Sequence, residues 1–532
     1  MSRMRDVVCS RYSTRLSYVL ILDTIRRMTN KNLAVDCGTN HQNINDKSGG
    51  NVGWIGEDFD DRVVKNSASG ESAEQNLQFP PNFLLGVATA AYQIEGAWNV
   101  SDKTESTWDR FSHYQNGAIY NNHTGDIATD SYNKYKEDIA ILKKLGFKAY
   151  RFSVSWPRIL PTGYSNYVSK DGVRFYHDFI DELLANNIEP MLTIYHWDHP
   201  QVLEDAGGWL NSEMVDWFAD YARVVFREYA PKVKMFIPIN EPSAVCKNSY
   251  SHGIYAPGKT LNGFGEYLCT HNVIKAHAKA YRIYEAEFKE TYKGIIAGMP
   301  RSHTDIDAVE NYFQFNAGWT MHPIYSKDGD YPPLMKSLVA NKSMEQGYSK
   351  SRLPTFTSEW VTYIRGTSDF LAVNHYTTRL VTAGSMGKVP SHENDQGVKE
   401  IVDTLWKPAA STWLKVVPEG FRFVLRQLAE NYGNPPMYIT ENGVSDFGAL
   451  NDDDRINYYR EYLKQMLNAI YNDGVNIRGY ILWSLLDNFE WNMGYHERFG
   501  IVSVDFNDPQ RPRTLKKSAS WWQSIIASGK VE

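Results

Sequence analysis

From Phe79 onward, short apolar runs alternate with longer segments whose apolar residues recur at helical spacing. The runs at 83–89, 149–154, 190–195, 233–239, 294–298, 369–374, 437–440 and 478–483 read as strands. Each is short and largely apolar, as expected of strands buried on both faces. Between them lie helical patterns. Residues 171–186 place Val173, Phe175, Tyr176, Phe179, Ile180, Leu183 and Leu184 on one stripe, and 454–472 does the same with Ile456, Tyr459, Tyr462, Leu463, Met466, Leu467 and Ile470. Eight strands alternating with helices predict an α/β fold, a parallel sheet closed as a (β/α)8 TIM barrel. A doubly wound open sheet is the alternative, and no glycine-rich phosphate turn supports it. Residues 1–76 stand apart. The stretch 39–72 is rich in Asn, Asp, Gly and Ser with little periodic apolar pattern, so 1–76 is expected to be a disordered or weakly ordered extension ahead of a barrel at 77–532.

Composition narrows this picture in a few places. The chain of 532 residues is longer than one ordinary domain, but α/β barrels run long as single domains. A net charge of -6 leaves no basic footprint for nucleic acid. The early apolar run 18–22 stops at Asp23, too short to span a membrane, and no membrane partner is expected. It is also a poor signal peptide, because Arg26-Arg27 stands where small residues should mark cleavage. Secreted and cytoplasmic locations both stay open, and the sequons at Asn99, Asn122 and Asn341 matter only on the secretory path. Four cysteines do not make a disulfide scaffold; Cys9, Cys37, Cys246 and Cys269 are expected to be mostly unpaired.

Candidate chemistry gathers after the strands. Gln93 and Glu95 follow the first and Arg151 lies in the second. His196 and Trp197 follow the third, and Asn240 and Glu241 end the fourth. Asn374, His375 and Tyr376 end the sixth, Glu441 the seventh and Trp483 the eighth. Polar residues repeated at one end of a barrel predict a pocket there. Two glutamates stand out, in Asn240-Glu241-Pro242 and Thr440-Glu441-Asn442-Gly443. A carboxylate at the exit of a buried strand is costly unless it is paired or used, and two brought face to face are the equipment for breaking a glycosidic bond. The aromatic content of 14% suits a sugar site, where ring faces stack on pyranose CH groups.

Six motifs in this order resemble the family 1 glycoside hydrolases, a group that includes β-glucosidases, lactase-like enzymes and myrosinases. They are Ala90-Ala91-Tyr92-Gln93-Ile94-Glu95-Gly96, Arg151-Phe152-Ser153-Val154-Ser155-Trp156, Tyr195-His196-Trp197-Asp198, Asn240-Glu241-Pro242, Thr440-Glu441-Asn442-Gly443 and Trp483-Ser484-Leu485-Leu486-Asp487-Asn488-Phe489-Glu490-Trp491. The resemblance runs from about residue 79 to about 530 and implies a retaining exo-β-glucosidase. Glu441 would be the nucleophile and Glu241 the acid and then the base. Arg151 and Tyr376 would sit beside the nucleophile and favour its ionised form. Gln93, His196, Asn240 and Glu490 match the glycone-binding set, with Trp483 and Trp491 as aromatic floor and wall. Trp197 and Asn374 adjoin that set, and Trp413 resembles an aglycone platform. Glucose, galactose and fucose are all expected to fit. The implied partner is a small-molecule β-glycoside, with neither cofactor nor metal, acting as a monomer or homodimer.

Three departures qualify the resemblance. Pro238 stands where the family usually has Thr, and proline removes a ladder donor from a strand. The fifth-strand region is about ten residues shorter than in relatives, so the barrel is expected to close with a trimmed loop and a more open aglycone side. Lys247 and Arg379 flank that side and resemble insect myrosinases, in which such a pair can meet a sulfated aglycone. A β-thioglucosidase is therefore the alternative enzyme, and a catalytically silent glycan-binding protein the reading from another class.

Overall fold

The structure is a computed structural model that describes residues 77–532, apart from 299–304, 307–308 and 385–386. The expectation for 1–76 lies outside the described residues, as do Cys9 and Cys37. Eight parallel strands form one sheet: β1 (Leu84–Ala88), β2 (Ala149–Ser153), β3 (Glu189–Tyr195), β4 (Met235–Ile239), β5 (Ile295–Ile296), β6 (Leu371–Asn374), β7 (Met437–Glu441) and β8 (Ile477–Trp483). Their order is β5-β4-β3-β2-β1-β8-β7-β6. The seam between β5 and β6 is closed by a parallel bridge, Ala297 to Phe370. There Gly298 N–H donates to Phe370 O at 2.9 Å and Asp369 N–H to Ile296 O at 2.8 Å. The result is the (β/α)8 barrel, with all eight strands where the apolar runs lie.

Burial explains why those runs are nearly continuous. All five residues of β2 and all five of β4 are buried. In β4 the side chains of Phe236, Ile237 and Ile239 are fully covered, each contributing about 1.5–3 kcal/mol over an exposed position. The helix Lys170–Ala185 starts at the Ser169 cap, whose hydroxyl accepts from Gly172 N–H, and buries Phe175, Tyr176, Phe179, Ile180 and Leu183. Leu184, placed on the same stripe by the sequence, is exposed. No helix among the described residues is long and apolar enough to cross a membrane.

The two departures along the backbone are absorbed. β4 runs straight through Pro238. Phe236 O accepts from Ala297 N–H at 2.8 Å, and alternation puts Pro238 on the same side two residues later. Beyond the proline the strand still pairs with β3, where Asn240 N–H donates to Tyr195 O at 2.9 Å. β5 itself shrinks to two residues plus the bridge, and most of the trimmed segment after it lies outside the described residues.

The cysteine expectation is corrected. Cys246, in the helix Pro242–Tyr250, is bonded to Cys269, in the helix Gly265–Glu287, with Cα atoms 5.6 Å apart. Only the packing of these two helices brings the pair together, and a spacing of 23 residues carries no signal of it. The bond closes the loop that carries Ile254 and Tyr255. Replacing both cysteines by serine is expected to cost about 3 kcal/mol, the loop-closure value for a ring of this size. A calorimetric scan would show it as a lowered melting temperature, and an unchanged transition would contradict it.

Candidate active site

Asn240, Glu241, Asn374, Tyr376, Glu441 and Trp483 stand at or just beyond the carboxyl ends of barrel strands, while Arg151 lies within β2. β4 ends at Ile239 and hands the chain to Asn240 and Glu241. Pro242 opens the next helix at its first position, where a missing N–H costs nothing. Proline also disfavours a right-handed helical conformation at the residue before it, and Glu241 adopts φ 42°, ψ 61°. Trp197 (φ 80°) and Trp491 (φ 49°) share this left-handed region. Three non-glycine residues so placed around one cavity carry about 1 kcal/mol of strain or more apiece, a cost that clusters at functional sites. At the end of β7, Gly443 is obligatory: a Cβ there would lie 2.0 Å from Trp483 O.

Glu441 is gripped on both oxygens. Arg151 Nη1 donates to Oε1 at 2.6 Å, and the Tyr376 hydroxyl donates to Oε2 at 2.6 Å. The guanidinium is itself fixed, with Nη1 donating to Thr440 O at 2.9 Å, Nη2 to Asn240 Oδ1 at 2.7 Å and Nε to Thr193 Oγ1 at 3.0 Å. Glu241 receives an amide instead: Asn374 Nδ2 donates to its Oε1 at 2.9 Å and to Asn240 Oδ1 at 3.1 Å. Thr440 Oγ1 donates to Asn374 Oδ1 at 2.7 Å, which fixes that amide's orientation. Arg151, Asn240, Asn374 and both glutamates thus form one hydrogen-bonded circuit across the barrel mouth.

One cavity of about 350 Å³ is lined by both glutamates together with His196, Trp197, Asn240, Tyr376, Trp413, Trp483, Glu490 and Trp491. Arg151, Asn374 and Gln93 stand behind its lining. Gln93 Nε2 donates to Asn488 Oδ1 and Phe489 O, both at 2.9 Å, and to Glu490 Oε2 at 3.3 Å. The His196 ring stacks on Trp483 and Trp491, with centroids 5.9 and 5.8 Å away. Its Nε2 meets Asn240 Nδ2 at 3.0 Å, while its Nδ1 and Gln93 Oε1 are buried without a protein partner. Trp413 is 41% exposed at the mouth, edge-on to Tyr376 at 5.8 Å.

Burial and charge tune the groups around the pair. Burial, and then the charge of Arg151, hold the His196 imidazole well below its usual range, so the ring is neutral. Burial chiefly, and then the carboxylates Glu497 and Glu441, push Glu490 well above the ordinary carboxylate range, while Gln93 pulls the other way. Burial, then Glu441 and Glu241, raise the Tyr376 phenol far above its usual value, which keeps it a donor. Glu95, from the first motif, is turned to structure: it accepts from Arg158 Nε at 3.0 Å and from the Tyr176 hydroxyl at 2.6 Å.

Lys247 and Arg379 both line the same cavity, on its outer side. Arg379 is half-buried and directed at protein groups. Its Nη1 donates to Thr378 O at 3.1 Å and Thr377 Oγ1 at 3.3 Å, Nη2 donates to Trp413 O, and Nε lies 3.6 Å from Glu400 Oε2. Lys247 is felt by Glu393. Burial would raise that carboxyl, but His252, His392 and Lys247 together outweigh it and hold it far below its usual range. Sequence reasoning missed Tyr255, Tyr312, Glu400 and Phe499, which also line the cavity. Tyr255 comes from the loop beneath the disulfide and Glu400 from a strand that no apolar alternation marks.

Residues 75–531 match the model of glycosyl hydrolase family 1. The chain is 47% identical over 466 residues to Myrosinase 1 of Brevicoryne brassicae, covering 86% of this chain and 100% of that protein. It is 40% identical over 473 residues to the human cytosolic beta-glucosidase, covering 86% and 99%. Among solved structures, an aphid myrosinase superposes with a TM-score of 0.82 at 46% identity, covering 85% of this chain and 100% of that one.

Proposed function

The chain belongs to glycosyl hydrolase family 1, and from that membership we propose that it is a retaining exo-β-glucosidase with Glu441 as nucleophile and Glu241 as acid and base. The observation that carries this reading is the unequal treatment of the two carboxylates. Glu441 meets a cationic guanidinium and a phenol, one on each oxygen, which hold the carboxyl group in a single orientation. Glu241 accepts from the Asn374 amide at 2.9 Å, a neutral donor where Glu441 has a cation, and the two roles of acid and nucleophile call for such a difference in surroundings.

In the first step a Glu441 oxygen bonds to the anomeric carbon as the bond to the aglycone oxygen breaks, and Glu241 gives its proton to that oxygen. In the second step Glu241 takes a proton from water, whose oxygen bonds to the anomeric carbon, and Glu441 leaves as a carboxylate. Asn240, between Arg151 and Asn374, is set to donate or accept at the 2-hydroxyl. Gln93 Oε1 and His196 Nδ1 supply buried acceptor or donor positions for glycone hydroxyls. Trp483 and Trp491 offer ring faces to the pyranose. The polar set is compatible with galactosides and fucosides as well as glucosides.

Two other readings weigh differently. A β-thioglucosidase acting on sulfated substrates is supported by the aphid relative and by Lys247 and Arg379 in the cavity wall. A silent glycan-binding role loses its motive, because the barrel closes through β5 and both glutamates line one cavity. The test is hydrolysis of methyl β-glucoside followed by proton NMR. The β-anomer of glucose is expected to appear first and then to mutarotate. Early α-anomer would exclude the retaining mechanism, and no hydrolysis of any aryl or alkyl β-glucoside by the folded chain would exclude the enzyme.

A further inference from the structure

Beyond the barrel, the mouth carries a three-stranded rim sheet of Asp305–Ile306, Arg379–Ala383 and Val398–Ile401. The last two strands are antiparallel, and Val381 stands opposite Glu400. Arg379 lies two residues before Val381 on the same face, so Arg379 and Glu400 are diagonal neighbours. Long side chains bridge that diagonal, and here they bring Nε to 3.6 Å from the Glu400 carboxylate. The other carboxylate oxygen, Oε1, accepts from the Tyr312 hydroxyl at 3.0 Å. Glu400 is therefore anchored from two sides, and Arg379, Glu400 and Tyr312 all line the cavity.

This arrangement changes what the rim offers a leaving group. A guanidinium has five N–H donors. In Arg379 the pair on Nη1 and one on Nη2 go to Thr377, Thr378 and Trp413, and the one on Nε faces Glu400. One donor remains, and the charge behind it is compensated by a carboxylate whose side chain is 38% exposed. An anionic aglycone approaching Arg379 meets Glu400 at the same time.

We propose that Glu400 sets the charge preference of the aglycone wall, occupying Arg379 so that β-glucosides with uncharged aglycones are selected over those with anionic ones. This rests on the glycosidase reading above. It bears on the second enzyme reading as well, since Glu400 leaves Arg379 less available to a sulfated aglycone.

The test compares kcat/KM for phenyl β-glucoside and for its 4-sulfonate, taking the ratio of the two in each variant relative to the wild type so that leaving-group differences cancel. Glu400→Gln keeps the shape and the Tyr312 contact and removes the charge. It is expected to raise the sulfonate-to-phenyl ratio about tenfold over the wild type, mainly through KM, as for removal of one like charge from a partly exposed wall. Adding Arg379→Gln to Glu400→Gln is expected to cancel that gain, because the gain comes from the released guanidinium. An unmoved ratio in Glu400→Gln, or an equal gain with Arg379 absent, overturns the proposal while phenyl glucoside turnover leaves the glycosidase reading standing. A folded wild type that cleaves neither substrate overturns both.

Discussion

Glu441→Gln is expected to lower kcat/KM for aryl β-glucosides by about 10⁴-fold or more, roughly 5 kcal/mol of transition-state stabilisation. The amide keeps an oxygen for Arg151 to hold, so the buried guanidinium retains an acceptor and the fold is spared an unpaired charge. What is lost, on the proposed mechanism, is the oxygen that bonds to the anomeric carbon. Glu441→Gly sharpens the test by opening space on the face that the carboxylate occupies. Azide added to that variant is expected to attack an activated aryl β-glucoside from that face and to yield the α-glucosyl azide. Azide bonds to the anomeric carbon as the aryl oxide departs, and no second displacement follows. A glutamine variant within about tenfold of wild type, or a β-configured azide product, would remove Glu441 from the nucleophile's role.

Glu241→Gln is expected to sort substrates by how much their leaving group needs a proton. For alkyl β-glucosides, whose alkoxide is strongly basic, kcat/KM should fall about 10³-fold, within the range for losing a positioned general acid. For 2,4-dinitrophenyl β-glucoside, whose phenolate leaves unaided, kcat/KM should stay within about tenfold. The base is missing too, so the second step slows and the glycosyl-enzyme accumulates as a burst of dinitrophenolate followed by slow turnover. Equal losses on both substrates would show that Glu241 holds the sugar and does not move a proton. Because Asn374 bridges Glu241 to Asn240, and Asn240 meets Arg151, the effects of Glu241 and Glu441 substitutions are not expected to add.

The barrel was legible in the chain for a physical reason. Strands covered on both sides need apolar residues at nearly every position, so β2 and β4 announce themselves as unbroken runs, and the polar residues that interrupt the pattern fall at strand exits. That is why the sequence alone points to one cavity for His196, Asn240, Tyr376 and Glu441, all of which line it. The rest depended on partners remote in sequence. The strand Val398–Ile401 has one buried residue out of four and carries no period to read. Glu400 gains its meaning only from Arg379, 21 positions earlier, and Tyr312, 88 positions earlier. The Cys246–Cys269 bond is likewise a product of packing, since neither cysteine declares its partner locally.

The rim sheet has a consequence for how such a protein changes over generations. Its strands hang outside the closed barrel, joined by their own ladder and a small apolar cluster of Tyr312, Val381 and Val398. None of its residues belongs to the circuit of Arg151, Asn240, Asn374 and the two glutamates. A lineage can therefore revise the rim one residue at a time, exchanging Glu400 or its neighbours, while the circuit inherited beneath it passes down unaltered.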